Sequence, residues 1–352
     1  MKMSTTMLLT SFGGGSALPI QCGVASAVFQ TNPSTLTTAV KTGKLSFWWN
    51  WNTEPLLDDD ALDAATITAA NAAFVPMLWG QATPESYDFL KDKSGDVMGY
   101  NEPDLYGPAC CNCDAKQTYH PATSSGWLPL FNPASAATFW VDTVNNLTSS
   151  QRSGTTLRRI VSPSMANDAA PTPGVDCTLD PASAANPSRC EGWLSLFKKE
   201  ALKQSCVGFD GKKTNCWDVI GVLQIHAYAH AAADVLTKIQ GYANEFVDDF
   251  AGTGGRSKKT LWLTEVAGGT SDGTKQTQFA TELMATSGGL GDRTMFPYVE
   301  RVSWFSEMSF PAFNVSGVVP KENEAWTSSL FNPFGGLTPV GDAFFANCAD
   351  AQ

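Results

Sequence analysis

The chain alternates short apolar runs with longer stretches in which apolar positions recur every three or four residues. Apolar runs bounded by turn residues predict β-strands near 21–27 (Q-C-G-V-A-S-A), 45–51 (L-S-F-W-W-N-W), 74–79 (F-V-P-M-L-W), 96–101, 158–164 (R-R-I-V-S-P-S), 218–227 (D-V-I-G-V-L-Q-I-H-A), 260–266 and 299–306. Helical periodicity falls between and after them, over 34–42, 60–73, 84–92, 135–149, 192–204, 231–249, 275–286 and 338–346. Strands that alternate with helices pair in parallel, because each right-handed crossover returns the chain beside its last strand. Eight such units predict one α/β domain, a (β/α)8 barrel of the TIM type.

That domain is expected to occupy 21–352, behind a Gly/Ser-rich segment, 1–20, that is weakly structured or processed. Stretches rich in Pro, Gly and Ser at 107–134, 163–191 and 310–338 follow the fourth, fifth and eighth strands. They are therefore long βα-loops on the barrel's functional face. Nine cysteines concentrate in such connecting segments, as loop staples do in an oxidising compartment. Cys177 is expected to pair with Cys190 and Cys206 with Cys216, leaving Cys348 and Cys22 to tie the chain ends to the Cys110, Cys111 and Cys113 cluster. The C-C-x-C run lacks the second ligand pair of a zinc site.

Composition narrows the function. Hydrophobic residues at 43% and charged ones at 16% describe a protein with a large core, and no apolar run approaches the roughly 18 residues that cross a bilayer. A net charge of −11, without a basic stripe, argues against nucleic acid. The eleven Trp and twenty Phe supply flat rings that match the apolar faces of sugars as well as a core.

Informative polar residues sit at strand C-terminal ends, which converge in a barrel: Asn50, Asn101, Glu102, His226, Tyr228, Glu265 and, with them, Trp304. Glu102 closes D-V-M-G-Y-N-E-P and Glu265 closes T-L-W-L-T-E, and neither segment contains a basic residue. A bare carboxyl pair suits glycoside hydrolysis, in which one group protonates the leaving oxygen and the other attacks the anomeric carbon. Mutual repulsion and partial burial should raise the pKa of one member, the acid. Asn101 can bond a sugar hydroxyl or hold Glu102, and His226 or Tyr228 can orient Glu265 or touch substrate. His226 and His230 share i, i+4 spacing, but His226 ends a strand and no acidic residue follows as in H-E-x-x-H, so no metal is expected. Trp48, Trp49, Trp51 and Trp79 divide between cleft and core in a way that alternation alone leaves open. Trp304 ends the eighth strand, where a ring can form the floor beneath the reacting sugar.

The motifs F-W-W-N-W, V-P-M-L-W-G, G-Y-N-E-P-D, I-H-A-Y, L-W-L-T-E and V-S-W-F, in order from about residue 45 to 345, together resemble family 128 of the glycoside hydrolases, in clan A, the fungal and bacterial β-1,3-glucanases. The resemblance implies a retaining mechanism with Glu102 as acid/base and Glu265 as nucleophile, their carboxyls about 5 to 5.5 Å apart. It also implies that Asn101 contacts the sugar next to the cleavage point, that Trp304 stacks beneath it, and that Asn50, Trp49, Trp79, His226 and Tyr228 line the cleft. The expected protein is thus a secreted or wall-associated, monomeric, cofactor-free endo-β-1,3-glucanase acting on glucan or laminari-oligosaccharides. The alternatives are a non-hydrolytic β-glucan-binding barrel and a clan A hydrolase of another β-glycan.

Overall fold

A computed structural model describes residues 19–26, 29, 32–57, 60–80, 84–90, 95–103, 132–151, 157–166, 192–253, 258–270, 272–305, 329–332 and 336–351. Its sheet runs β2 (Leu45–Trp49), β1 (Gln21–Ala25), β9 (Val299–Trp304), β8 (Thr260–Gly268), β7 (Ile220–Ala229), β4 (Leu157–Met165), β3 (Gly95–Val97), and every neighbouring pair is parallel. The gap between β2 and β3 is closed by residues 74–79. Trp48 bridges Phe74 and Met77 bridges Met98, while Val75 N donates to Trp48 O and Met98 N to Pro76 O, each at 2.9 Å. Pro76 has no N–H to give, so this eighth position holds isolated bridges instead of a continuous ladder. The fold is the expected (β/α)8 barrel, with helices that fall within a few residues of their predicted ranges.

Two cores result from the period-two alternation of barrel strands. The larger lies between sheet and helices and includes Val24, Trp48, Ile160, Leu223, Leu263 and Trp304. The smaller fills the barrel itself with Ala25, Phe47, Trp49, Val75, Met77, Met98, Val161, Val222 and Trp262. Gly23 makes room for it: a Cβ there would stand 2.5 Å from the Phe47 ring.

Charge closes the bottom of the barrel. Arg159 binds Asp96 and Glu300 through both sides of its guanidinium, at 2.6 to 3.1 Å, and the Arg301 guanidinium lies over the Trp262 ring at 4.2 Å. Although burial opposes ionisation, these bonds to Arg159 with help from Thr260 hold the Glu300 carboxyl down at about 2.

An antiparallel hairpin, β5 (Ser205–Val207) with β6 (Lys213–Asn215), was not foreseen, although the disulfide that staples it, Cys206–Cys216, was. The second disulfide corrects an expectation: Cys22 pairs with Cys348 directly, 326 residues apart, and ties neither end to the cysteine-rich loop. It joins β1 to the segment after the last helix, Pro339–Phe345, where Ala349 N also donates to Ile20 O at 2.8 Å. Cys110, Cys111, Cys113, Cys177, Cys190 and most of the 1–20 segment lie outside the described residues. Among those residues, no helix is long and apolar enough to cross a membrane.

Two stability measurements follow. Because a bridge restrains the unfolded chain more as it closes a longer loop, the double substitution Cys22→Ala with Cys348→Ala should cost about 3 to 5 kcal/mol. Cys206→Ala with Cys216→Ala should cost about half of that, read from urea midpoints. Glu300 has a depressed folded pKa, so its contribution is complete above its ordinary value and is lost as pH falls toward about 2. Stability should drop by about 3 kcal/mol over that acid window, and Glu300→Gln should flatten that part of the profile.

Candidate active site

Glu102 leaves the barrel at the end of the strand that begins with β3. Its N–H donates to Ser164 O at 2.9 Å, and the preceding Asn101 bridges Ser164, so β4 fixes both residues. The backbone of Glu102 is left-handed, φ 43°, which a non-glycine residue adopts only where its surroundings impose it, at about 1 to 3 kcal/mol. That turn throws the carboxylate over the barrel mouth instead of along the strand.

Glu265 reaches the same place by an irregularity in β8. Ile225 of β7 pairs with Leu263, but the next residue, His226, pairs with Glu265, leaving Thr264 as an extra residue on β8. Strict alternation from Trp262, which fills the barrel, would send Glu265 out to the helices. The bulge restores it to the inner face beside His226, a use to which bulges are commonly put next to functional sites.

The two glutamates converge on the histidine. Nδ1 of His226 lies 2.7 Å from Oε1 of Glu102 and 3.4 Å from Oε2 of Glu265. One oxygen of each carboxylate and one ring nitrogen fall within 4.8 Å of one another. An imidazole nitrogen that faces two carboxylates carries the proton, so His226 donates from Nδ1. The Tyr228 hydroxyl donates to Oε2 of Glu265, and the indole N–H of Trp51 donates to Oε1 at 2.9 Å.

Burial pushes the Glu265 carboxyl above its ordinary pKa; His226 opposes this, Glu102 adds to it, and the bonds from Tyr228 and Trp51 oppose it. Glu265 is the deeper of the two, its side chain 6% exposed against 20% for Glu102, so burial raises the carboxyl that the resemblance assigns to attack, whereas the acid was expected to be the raised member. Burial, with the Glu265 charge beside it, also drives the Tyr228 hydroxyl well above its usual range, so it remains a donor.

The other predicted residues divide. Asn101 is buried beside Ser164, at the base of Glu102. Trp49 is wholly buried, donates to Ser303 Oγ at 3.1 Å and stacks near the His226 ring, so it supports the site from below and does not line a cleft. Trp79 borders the inner core, partly exposed. Asn50 departs from expectation: its amide donates to Glu54 O and Pro55 O, and its Oδ1 accepts from Asn52 N, so it ties up its own loop.

Trp304 also departs from expectation. It is fully buried on the outer face between Phe279 and Phe344, at 6.0 and 5.3 Å, under the helices. Its neighbour Phe305 takes the inner position, edge-on to both Trp51 and Tyr228 at 5.8 Å. The phase was readable in principle. Arg301 and Ser303 are polar and face the barrel, while Val302 and Trp304 are apolar and face the helices, which assigns Phe305 to the mouth.

Glu102, His226 and Glu265 are also the described residues best placed to hold a metal, with one ligand atom each. Their oxygens and nitrogen are already matched to one another, and both oxygens of Glu265 accept from neutral donors. That pattern suits an acid, a base and a nucleophile working within reach of one bond.

The fold is similar to that of an endo-β-1,3-glucanase of glycoside hydrolase family 128 from Lentinula edodes, at 16% identity over 92% of this chain and 98% of that one, TM-score 0.55. It is similar to a family 128 exo-β-1,3-glucanase from Aureobasidium namibiae, at 16% identity over 93% and 96%, TM-score 0.54. A third structure, an endo-β-1,3-glucanase of that family from Amycolatopsis mediterranei in complex with laminaripentaose, shares 19% identity over 93% and 99%, TM-score 0.51. No curated protein matches the chain. The family model described as glycosyl hydrolase catalytic core matches residues 23–344, and with nearly the whole barrel inside that match the chain belongs to this family of glycosyl hydrolases.

Proposed function

We propose that the protein is a retaining endo-β-1,3-glucanase, with Glu265 as nucleophile and Glu102 as acid/base. One observation carries this reading: two carboxylates from opposite sides of the barrel mouth approach within 4.8 Å across a single histidine. That close approach supports direct attack by one carboxylate, as in a retaining pair.

In this mechanism the Glu265 carboxylate attacks the anomeric carbon while Glu102 protonates the departing oxygen. His226 donates to Oε1 of Glu102, which leaves Oε2 to carry the transferable proton. The glycosyl-enzyme ester that results is hydrolysed by a water that Glu102, now ionised, deprotonates. Tyr228 and Trp51 hold the two oxygens of Glu265 so that its attacking face is fixed.

The β-1,3 linkage is supported by the motif resemblance and by the three glucanases of similar fold, two of them endo-acting. Action outside the cell is supported by the two disulfides, which persist in oxidising compartments.

Purified protein should release reducing ends from laminarin, and Glu265→Gln should lower kcat by at least about a thousandfold. Glu102→Gln should be rescued by azide with formation of a β-glycosyl azide, the signature of retention. Tight laminari-oligosaccharide binding without products would identify a binding barrel instead, and activity on xylan, mannan or β-1,4-glucan alone would change the substrate. A labelled laminari-oligosaccharide series separates internal from terminal cleavage.

The aromatic pair at the end of β9 gives a second test. Trp304→Ala should cost about 3 to 5 kcal/mol of stability in urea titrations, as cavities under helices do. Phe305→Ala should cost less stability and should weaken laminari-oligosaccharide affinity, measured by calorimetry.

A further inference from the structure

We propose that Trp51 is a positioning residue that keeps Glu265 in its ionised, attacking form. The inference rests on Glu265 being the nucleophile, but its own test does not require turnover.

Trp51 is brought to Glu265 by a loop built for the purpose. Its backbone is left-handed, φ 59°, a conformation that a bulky side chain adopts only under constraint. The constraint is the Asn50 amide, which gathers Glu54 O and Pro55 O, together with Asn52, whose carbonyl accepts from Met77 N at 2.9 Å. The indole is held on two sides, edge-on to Trp49 at 4.7 Å and to Phe305 at 5.8 Å. What the arrangement achieves is a single bond, from Nε1 to Oε1 of Glu265 at 2.9 Å.

The groups that face Glu265 differ in what they can offer. Glu102 repels it. His226 sits closer to Glu102 than to Glu265. Tyr228 donates to the other oxygen. The indole N–H neither titrates in water's working range nor carries a charge. It therefore favours the carboxylate at every pH without neutralising it, whereas a guanidinium in that place would weaken the nucleophile. Burial, the force that most strongly opposes ionisation here, is countered on the Oε1 side by this donor.

Trp51→Phe keeps a ring between Trp49 and Phe305 and removes the donor. The Glu265 carboxyl can be titrated directly by 13C NMR on protein labelled at the glutamate Cδ, its resonance assigned by its absence in Glu265→Gln. Losing a hydrogen bond to the charged form should raise the Glu265 midpoint by about one pH unit. The acid limb of kcat/KM on laminarin should move to higher pH by the same amount, with the larger loss in kcat than in KM. Trp51 replaced by β-(3-benzothienyl)alanine, the same shape without the N–H, should reproduce both shifts, and it decides the matter if Trp51→Phe does not fold. A midpoint unchanged in the folded variants overturns the proposal. A midpoint that moves while the unsubstituted protein releases no sugar would leave Trp51 as the group that holds Glu265 ionised and would overturn the nucleophile role on which the proposal rests.

Discussion

The site depends on the neutral hydrogen-bond donors that hold one buried carboxylate at the barrel mouth. Glu265 is nearly enclosed, faces a second carboxylate, and has no lysine or arginine among the groups that act on its ionisation. Ionising an acid in such a place costs several kcal/mol unless hydrogen bonds replace the lost water. The fold supplies them from separate elements: Tyr228 from β7 and Trp51 from the loop after β2. Barrel curvature brings these ends together, and the β8 bulge turns the carboxylate to meet them.

The opposite end of the same barrel uses carboxylates in the reverse sense. Glu300 receives a two-pronged guanidinium and is held near pH 2, where it is inert as an acid or base. Glu265 is pushed upward by its burial. Between the two lies the apolar inner core, Phe47, Met77, Met98 and Trp262, which insulates one charge system from the other. One residue type is thus shifted in opposite directions at the two ends, and the difference is the company of arginine.

Much of this was legible in the sequence. The eight strands and their helices could be located because apolar runs and turn residues mark them, and Glu102 and Glu265 stood out as carboxylates ending apolar strands with no basic neighbour. What could not be read was phase and local backbone shape. Alternation fixes which residues share a face, but an unpaired Thr264 resets it for Glu265, and nothing in T-L-W-L-T-E announces the bulge. Trp304 was placed in the cleft for the same reason, although the polar Arg301 and Ser303 carried the signal for Phe305. The place of Trp51 beside Glu265 was beyond reach, because a left-handed tryptophan contradicts its own propensity and is imposed by Asn52 and by Asn50, which itself looked like a substrate contact. The pairing of Cys22 with Cys348 depended on barrel closure bringing first strand and last helix together, a long-range fact that spacing does not encode.

That same bridge changes what a protease can do to the molecule. With its first strand sewn to the segment behind its final helix, the polypeptide between residues 22 and 348 is a covalent ring. A single cut anywhere between those two residues opens the ring but releases no fragment. The nicked protein remains one molecule, with Glu102 and Glu265 still joined through the bridge, for as long as it stays oxidised.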